Sequence, residues 1–334
     1  MKSNILYFLS FFLFFGIACT DQKKEATPEA EILPEKVVAV PKFFADSAYY
    51  FVEKQVTFGP RVPNTNSHVL TGDYLVEKLN AYGGSVTEQR FKAFTYDGQQ
   101  LSLRNIIAGF YPEKQKRLLL AAHWDSRPFA DKDTENKDQP IEGANDGASG
   151  VAVLLEIARV LAHSKPPEVG IDIIFFDGED WGEKYNEGYV QTPDTLSTWY
   201  CLGSQHWARN KHIKNYSAYY GILLDMVGAQ GSQFRKEGLS VRVAPKVVEK
   251  IWTRAAKLGY SNYFINARSA EITDDHQFVN NPGKIPMVNI VHYDPVYGYF
   301  GDYHHTHLDN LSIIDKETLR VVGETLLNVI YYEE

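Results

Sequence analysis

The chain has 334 residues, of which 44% are hydrophobic and 13% aromatic, so it can bury a large core as one big α/β domain or as two ordinary domains. Its 34 Lys and Arg against 42 Asp and Glu give a formal net charge of −8, which makes nucleic acid a poor candidate partner. Beyond Cys19 the sequence has a single cysteine, Cys201, so a disulfide framework within the folded part is excluded.

The first residues predict a secretory signal. Lys2 precedes an apolar run, residues 5–15, and the motif "GIAC" follows and ends in Cys19. A cysteine directly after small residues is typical of a bacterial lipoprotein, whose thiol is acylated; an ordinary signal peptide that contains a cysteine is the alternative. We therefore predict a signal peptide over residues 1–18 and an exported, periplasmic protein that is anchored to a membrane through Cys19.

Residues 19–40 predict a flexible tether. The stretch "TDQKKEATPEAEILPEK" is charged and contains prolines, with little apolar periodicity. No internal repeat and no shift in composition follows residue 43, so one folded domain over residues 41–334 is favoured.

Within this domain, helical and strand-like patterns alternate. In chain order, the predicted elements are helices Phe43–Thr57 and Ser67–Ala81, strands "SVTEQRFKAF", "SLRNIIAGF" and "RLLLAAHWD", helix Ala148–Ala162, strands "GIDIIFFDG" and "YYGILLDMVGA", helix Pro245–Leu258, strand "IPMVNIVHY" and helix Asp315–Tyr332. The later strands are apolar throughout, as in strands that are buried on both faces. The two early, hairpin-like strands indicate a mixed sheet. We predict an α/β fold, a single domain with a mixed, mostly parallel central sheet flanked by helices.

Acidic and histidine side chains cluster where these strands end, which is where sites form in open α/β sheets. They are His123, Asp125, Asp146, Asp177, Glu179, Asp180 and Asp225, followed by Asp274, Asp275 and His276 of "DDH" and by His304, His305 and His307. Taken singly, each acid is typical of a turn or a helix cap. Together, the carboxylates would repel one another unless a cation neutralised them.

Zinc is the cation that this residue set predicts. Asp and His ligands on a few rigid strand ends are typical of a catalytic zinc with an open position, and the cysteine spacing of a structural zinc site is missing from the sequence. Two carboxylates and one neutral imidazole would balance the charge of the ion.

Seven motifs in order resemble a known family: "HWDS", "GANDGASGVAVLLEIARVL", "FFDGED", "LGSQHWA", "LLDMVGA", "DDHQFV" and "HTHLDN". They are similar to those of the exported zinc aminopeptidases of the co-catalytic type and, within that superfamily, of the animal-type glutaminyl cyclases and their bacterial relatives. The resemblance extends from Phe43 to Tyr332 and implies a zinc aminopeptidase-like fold. It implies that Asp146, Asp180 and His305 hold one zinc ion.

The resemblance also implies a reaction. Zinc would polarise the side-chain amide of an N-terminal glutamine, the substrate's own α-amine would attack it, and Glu179 would carry the proton to the departing ammonia. Asp225 and Asp274 would form a hydrogen-bonded acidic cluster with Glu179; for Asp274, a helix N-cap is the alternative. The partners implied are peptides and proteins with N-terminal glutamine, and the product is pyroglutamate.

A two-zinc aminopeptidase is the main alternative. His123, Asp146, Asp180, Asp225 and His305 match the five ligand positions of those enzymes. Glu179 would then activate a metal-bound water.

Two features favour the cyclase. The 21 residues from Trp181 to Cys201 separate "DGED" from "LGS", a connection that aminopeptidases keep very short, and the "DDH" triplet is a cyclase feature. A non-catalytic binding module is a third hypothesis, against which the completeness of the acid and histidine set argues.

A glutamine pocket needs dry aromatic walls. Trp181, directly after Asp180, is the best candidate for substrate binding, and Trp124 and Trp207 are weaker ones. In the animal cyclases a tryptophan precedes the ligand histidine, whereas this chain has His304 there.

Overall fold

The structure is a computed structural model that describes residues 37–185 and 187–334. Its strands are β1 (Ser85–Phe94), β2 (Gln100–Phe110), β3 (Arg117–His123), β4 (Gly170–Phe176), β5 (Tyr220–Asp225), β6 (Phe234–Lys236), β7 (Phe264–Arg268) and β8 (Met287–Val291). Its α-helices are α1 (Ala45–Thr57), α2 (Asn66–Ala81), α3 (Ala148–His163), α4 (Leu202–Arg209), α5 (Gly238–Val243), α6 (Pro245–Lys257), α7 (Asp275–Asn280) and α8 (Lys316–Tyr331). The predicted signal peptide and all but the last residues of the predicted tether lie outside the described residues.

Six strands form one sheet in the order β1-β2-β4-β3-β5-β8. The β1-β2 and β2-β4 pairs are antiparallel, whereas β3 pairs in parallel with β4 and β5, and β5 pairs in parallel with β8. The prediction of a mixed, mostly parallel sheet flanked by helices is therefore confirmed. Strands β6 and β7 form a separate two-stranded sheet.

The five predicted helices are present, with ends within two residues of their predicted positions. Side chains fix two of these ends: Thr65 accepts a hydrogen bond from the backbone of His68 at the start of α2, and Asp315 accepts one from Thr318 at the start of α8. The short helices α4, α5 and α7 have six to eight residues. Such lengths are too short for a periodic pattern to reveal.

Side chains of β3 alternate between the two faces of the sheet. Leu118 and Leu120 pack in the larger hydrophobic cluster, with residues of α1, α3 and α8, whereas Leu119 packs in a second cluster with Trp207 of α4 and Phe278 of α7. Each fully buried leucine contributes about 1.5–3 kcal/mol relative to an exposed one. The central strands are thus fixed between two helical layers.

This arrangement places the predicted site at one edge of the sheet. Strands β4, β3 and β5 are parallel neighbours, so their carboxyl ends lie side by side. Residues Val38–Glu334 form one compact unit. None of the described helices has the length and apolar character needed to cross a bilayer.

Candidate active site

A cleft with a volume of about 480 Å³ opens beyond the carboxyl ends of β4 and β5. Six of its lining residues are acidic, namely Asp131, Asp146, Glu179, Asp180, Asp225 and Asp274. His304, His305 and Lys132 also line it, as do the aromatic rings of Tyr185, Tyr200, Tyr299 and Phe300. The three acids that the sequence assigned to catalysis and the three residues that it assigned to one zinc ion therefore all reach this one cleft.

Two buried side chains, the carboxylate of Asp309 and the guanidinium of Arg61, hold the loop that contains Asp146. The Asp309 carboxylate accepts hydrogen bonds from the backbone N–H groups of Asn145 and Asp146, at 2.7 and 3.0 Å. The buried guanidinium of Arg61 donates to the carbonyls of Gly143 and Asp146, at 2.6 and 3.3 Å. These contacts fix the backbone of Asp146 before any ligand binds.

Gly147 closes this loop and needs to be glycine. Its φ is +89°, and a Cβ there would lie 2.7 Å from the carbonyl oxygen of Asp125. The loop therefore packs directly against the segment that follows β3.

A second carboxylate aligns the adjacent acids after β4. Asp125 accepts hydrogen bonds from the N–H groups of Glu179 and Asp180, at 3.0 and 3.1 Å. Arg127 donates to the Asp180 carbonyl at 2.9 Å. Beyond this common support, the two acids have different partners. Oδ1 of Asp180 lies 3.0 Å from Nε2 of His305, whereas Oε1 of Glu179 accepts from the Cys201 thiol at 3.1 Å.

The sequence assigned Asp146, Asp180 and His305 to one zinc ion, and in the structure the imidazole of His305 lies near both acids. Nε2 of His305 is 3.0 Å from the Asp180 carboxylate and 4.0 Å from the Asp146 carboxylate. Burial, with Arg127 nearby, holds the pKa of His305 well below its ordinary value, so the imidazole is neutral. His304 also brings a nitrogen within 4.0 Å of Asp146, and Asp146, His304 and His305 form one of the clusters that could hold a metal ion.

This donor set fits a zinc ion. Oδ2 of Asp180 is buried, and no hydrogen-bond partner for it exists among the described residues. Burial and the neighbouring Asp146 raise the pKa of Asp180 well above its usual range, a penalty that a bound cation would remove. Two carboxylates with one neutral imidazole are ligands that catalytic zinc prefers.

A second group that could hold a metal consists of His123, Asp146 and Asp225. Nε2 of His123 lies 3.0 Å from Asp146 and 3.3 Å from Asp225. Burial alone would lower the pKa of His123, but the surrounding carboxylates raise it well above its ordinary value. The imidazole can therefore join the two acids as a proton donor as well as serve as a ligand.

Two of the three acids assigned to catalysis, Glu179 and Asp274, lie close to each other. Ligand atoms of Glu179, Cys201 and Asp274 are all within 4.8 Å. Burial, with Asp274 as the next cause, raises the pKa of Asp225 to about 7. Burial likewise raises the pKa of Glu179 well above its usual range. No hydrogen bond in the described part of the chain joins the carboxyl groups of Glu179, Asp225 and Asp274 directly.

Asp274 combines the two roles that the sequence left open. Its side chain accepts a hydrogen bond from the Asp275 N–H as the N-cap of α7. Its other oxygen accepts from Nδ2 of Asn289 at 2.6 Å, and the residue lines the cleft. The cap therefore holds a cleft carboxylate in place.

The expected role of Trp181 needs correction. Its ring packs in a small core cluster with Val62, Leu101, Leu103 and Leu202 and is not among the cleft-lining residues. The reason is that this large apolar ring buries itself against β2 behind the acidic pair.

The two weaker tryptophan candidates are also core residues. Trp124 stacks on His68 with ring centroids 4.3 Å apart, and Trp207 packs edge-on against Phe176. The aromatic walls of the cleft come instead from Tyr299 and Phe300 after β8 and from Tyr185 and Tyr200.

The long connection between Asp180 and Cys201 supplies one wall. Its residues Tyr185, Thr198 and Tyr200 line the cleft. The connection is closed at its base, because Cys201 N donates to the Glu179 carbonyl at 2.8 Å and Leu202 N to the Gly178 carbonyl at 2.9 Å.

Several supporting residues were missed by the sequence reasoning. Asp309 lies within the motif "HTHLDN" and Arg127 follows "HWDS", so their neighbourhood was a usable signal. Arg61 is fully buried but stands in an irregular segment far from any motif. No pattern in the sequence distinguishes it from a surface arginine.

Known proteins are similar to this chain in fold and in sequence. The model of peptidase family M28 matches residues 105–330. The crystal structure of Bacteroides thetaiotaomicron glutaminyl cyclase is 50% identical, with a TM-score of 0.85 over 89% of this chain and 100% of that one. A Zn-dependent exopeptidase from Parabacteroides distasonis is 51% identical, with a TM-score of 0.84 over 88% of this chain and 99% of that one. Glutaminyl-peptide cyclotransferase of Drosophila melanogaster is 28% identical over 285 residues, which cover 78% of this chain and 73% of that protein.

Proposed function

The chain belongs to peptidase family M28, and we propose that within it the protein is a zinc-dependent glutaminyl-peptide cyclotransferase. It converts the N-terminal glutamine of peptides and proteins to pyroglutamate and releases ammonia. The similarity to a solved glutaminyl cyclase over that enzyme's whole length supports this function. The single structural observation that carries it is the wall that Tyr185, Thr198 and Tyr200 build along the cleft.

That wall affects which nucleophile, water or the substrate's own α-amine, reaches the amide carbonyl of the substrate. Tyr185 and Tyr200 on one side and Tyr299 and Phe300 on the other enclose a cleft of about 480 Å³. Aromatic walls leave room for a small amide side chain while limiting bulk water. The substrate's own α-amine, folded back on the amide, then competes favourably with the water that a peptidase would use.

We assign one zinc ion per chain to Asp146, Asp180 and His305. When bound, zinc supplies a Lewis acid that polarises the side-chain amide carbonyl of the substrate. In this proposal Asp225 belongs to the acidic cluster and His123 hydrogen-bonds to Asp146 and Asp225, at 3.0 and 3.3 Å. A second ion held through His123 and Asp225 belongs to the aminopeptidase alternative.

Glu179 carries the proton. Its carboxylate accepts a proton from the attacking α-amine and returns it to the leaving ammonia. Burial, opposed by His123 and reinforced by Asp180, raises the pKa of Glu179 well above its usual range. A raised pKa suits a group that must both take and give a proton near neutral pH.

Asp225 and Asp274 orient the substrate. Both line the cleft and both are buried, with 8% and 3% of their surface exposed. Each attracts the α-ammonium group when it is ionised, and the Asn289 amide and the α7 backbone hold Asp274 in place. Asp225 and Asp274 thus position the α-amine, whereas Glu179 accepts its proton.

The deciding experiment compares two substrates on one protein. Ammonia release from a glutamine-initiated dipeptide and cleavage of leucine 4-nitroanilide are measured after reconstitution with one equivalent of zinc and then with excess zinc. We expect ammonia without nitroaniline at one equivalent. Release of nitroaniline that requires two equivalents of zinc would show that the protein is an aminopeptidase. No activity in either assay, together with no bound metal, would show that it is a binding module.

We also propose that the protein is exported and anchored to a membrane through a lipid on Cys19. The support is the sequence alone: the apolar run of residues 5–15 that ends at "GIAC", followed by a charged, proline-bearing stretch. Labelled palmitate should be incorporated by the full-length chain and lost in Cys19→Ala. Absence of label from the unmodified chain would contradict the anchor.

A further inference from the structure

His304 and His305 are neighbours in sequence and in space. Their rings stack with centroids 3.7 Å apart. Nε2 of each lies 4.0 Å from Oδ2 of Asp146. Distance alone would therefore let either histidine bind an ion that Asp146 holds, so the choice between them depends on which nitrogen of each ring carries a proton.

The environment of His305 leaves Nε2 free to bind a metal. Nδ1 faces Oδ1 of Asp131 at 3.7 Å. Asp131 is paired on both oxygens with Arg127, at 2.8 and 2.7 Å, so it remains a carboxylate, which can only accept hydrogen bonds. Nε2 lies 3.0 Å from Asp180, an acid assigned to the same zinc ion, so in the metal-bound protein Nε2 must give its lone pair to the ion and the proton of the neutral ring is on Nδ1, facing Asp131. A carboxylate behind the imidazole is the usual support of a metal-binding histidine.

The environment of His304 has the opposite effect. Nδ1 lies 2.5 Å from Nζ of Lys132. An ammonium group has three donors and no acceptor, so Nδ1 of His304 must accept. The proton of the neutral ring is then on Nε2, the nitrogen that faces Asp146. A nitrogen that carries a proton has no lone pair to offer a metal ion.

We propose that Asp131 and Lys132 are positioning residues that make His305 the metal ligand and prevent His304 from becoming one. Two consecutive residues of one loop thus impose opposite tautomers on two consecutive histidines of another. The loops are tied together, because Lys132 N donates to the His305 carbonyl at 3.3 Å. The inference rests on the proposed function only in taking Asp146, Asp180 and His305 as the ligand set. Its further consequence is that His304 presents an N–H donor to the cleft.

Metal affinity tests the assignment without any use of catalysis. The purified protein is stripped of metal, and zinc dissociation constants are measured by competition with a chromophoric chelator. We expect His305→Ala to weaken zinc binding by a factor of about 100 or more and Asp131→Asn to weaken it by about 10–100-fold. His304→Ala should leave the constant within about threefold of the unmodified protein, because the ring that it removes does not bind the ion and touches the ligand His305 only by stacking.

The visible spectrum of the cobalt-substituted protein tests the role of Lys132. In Lys132→Met, His304 can place its proton on Nδ1 and bind the ion, so the cobalt bands should shift and change in intensity as the ligand set changes. The double variant Lys132→Met/His304→Ala should restore the original spectrum. Lys132→Arg keeps a hydrogen-bond donor for His304 and should therefore keep the original cobalt spectrum. Lys137→Met, in the same loop, is the matched control and should also keep that spectrum.

Two results would overturn the proposal. One is a His304→Ala variant that loses zinc as strongly as His305→Ala, because His304 would then be a ligand already. The other is an unchanged cobalt spectrum in Lys132→Met. If the protein instead proved to lack cyclase activity while the affinities and spectra followed the expected pattern, the proposed function would fail and this assignment would stand.

Discussion

The thiol of Cys201 donates a hydrogen bond to the carboxylate of Glu179, with Sγ and Oε1 3.1 Å apart. Burial raises the pKa of this thiol well above its ordinary value, and Glu179 adds to the shift, so the group stays protonated and remains a donor across the working pH range. The buried free cysteine of the folded domain thus contacts the proposed proton carrier.

Removing this donor should slow the reaction moderately. One hydrogen bond is worth about 0.5–1.5 kcal/mol, so Cys201→Ala is expected to lower kcat by about 2–10-fold with little change in KM. Cys201→Ser keeps a donor and should retain more of the activity. Steady-state kinetics on a glutamine-initiated dipeptide decide this, and equal kcat values for the two variants and the unmodified protein would show that the contact has no catalytic effect.

Glu179→Gln should abolish most of the activity while leaving the metal in place. General acid–base catalysis contributes about 10²–10⁴-fold, and the amide cannot accept the proton of the α-amine. Zinc content, measured by atomic absorption, should be unchanged, because the ligands assigned are Asp146, Asp180 and His305. Glu183→Gln, four residues further on and outside the cleft lining, is the matched control. If the Glu179→Gln variant kept more than about a tenth of the original kcat, Glu179 would not be the general acid–base of the reaction.

Asp309→Asn should weaken zinc binding from behind the ligand. The carboxylate now accepts from two consecutive N–H groups of the Asp146 loop, at 2.7 and 3.0 Å, whereas an amide offers one oxygen and would turn an N–H₂ group towards the other donor. Loss of such outer support typically lowers metal affinity by about 10–100-fold. Chelator competition measures the change. Asp302→Asn, an exposed acid in the same segment, serves as the control and should bind zinc normally.

The buried carboxylate of Glu237 should make stability depend on acidity. Burial would raise its pKa, but the hydrogen bonds from His276 and Ser240 outweigh this and lower the pKa to about 2. A carboxyl group with a depressed pKa in the folded state contributes stability that is present above its unfolded pKa of about 4.3 and is lost as the pH falls through about 2. At pH 7 we therefore expect Glu237→Gln to be less stable by about 3 kcal/mol.

Urea unfolding at several pH values tests this expectation. The gap in free energy of unfolding between the unmodified protein and Glu237→Gln should narrow steadily between about pH 5 and 2. A gap that stays constant over that interval would mean that the ionisation of Glu237 is not what stabilises the fold.

The proposed nucleophile predicts the pH dependence of the reaction. A free α-amine has a pKa of about 7.7–8.0, so most of it is protonated and non-nucleophilic at pH 6. The value of kcat/KM should therefore rise from pH 6 to about 8. A flat profile over this range would exclude attack by the α-amine; a substrate with a less basic α-amine, measured in parallel, should shift the rise to lower pH.

The sequence predicted the elements of the fold well where patterns are long. The five long helices carry a clear period and the buried strands are continuous apolar runs, and the strand ends correctly brought His123, Asp180 and Asp225 to one edge of the sheet. The short helix α7 has no such period, although its cap, Asp274, was recognised from the motif.

Side-chain direction was the part that the sequence could not supply. Trp181 follows Asp180 directly, and adjacency in sequence suggested a shared cleft, but its ring faces the core beside Leu101 and Leu103. The contacts of Lys132 with His304 and of Arg61 with the Asp146 loop join segments that lie far apart in the chain. Such pairings depend on the packed tertiary structure and leave no local pattern.

The segment between Asp180 and Cys201 is tied at its base, so changes within it are separated from changes at the acidic pair, Glu179 and Asp180. Because hydrogen bonds from Cys201 and Leu202 back to Glu179 and Gly178 tie its ends together, the segment forms a loop on a fixed stem. Residues can be inserted, deleted or exchanged along the loop without moving the backbone of the acidic pair. The pocket that selects the substrate can therefore change in evolution while the acids that carry out the reaction stay in place. Relatives that catalyse one reaction can thus acquire pockets of different shape.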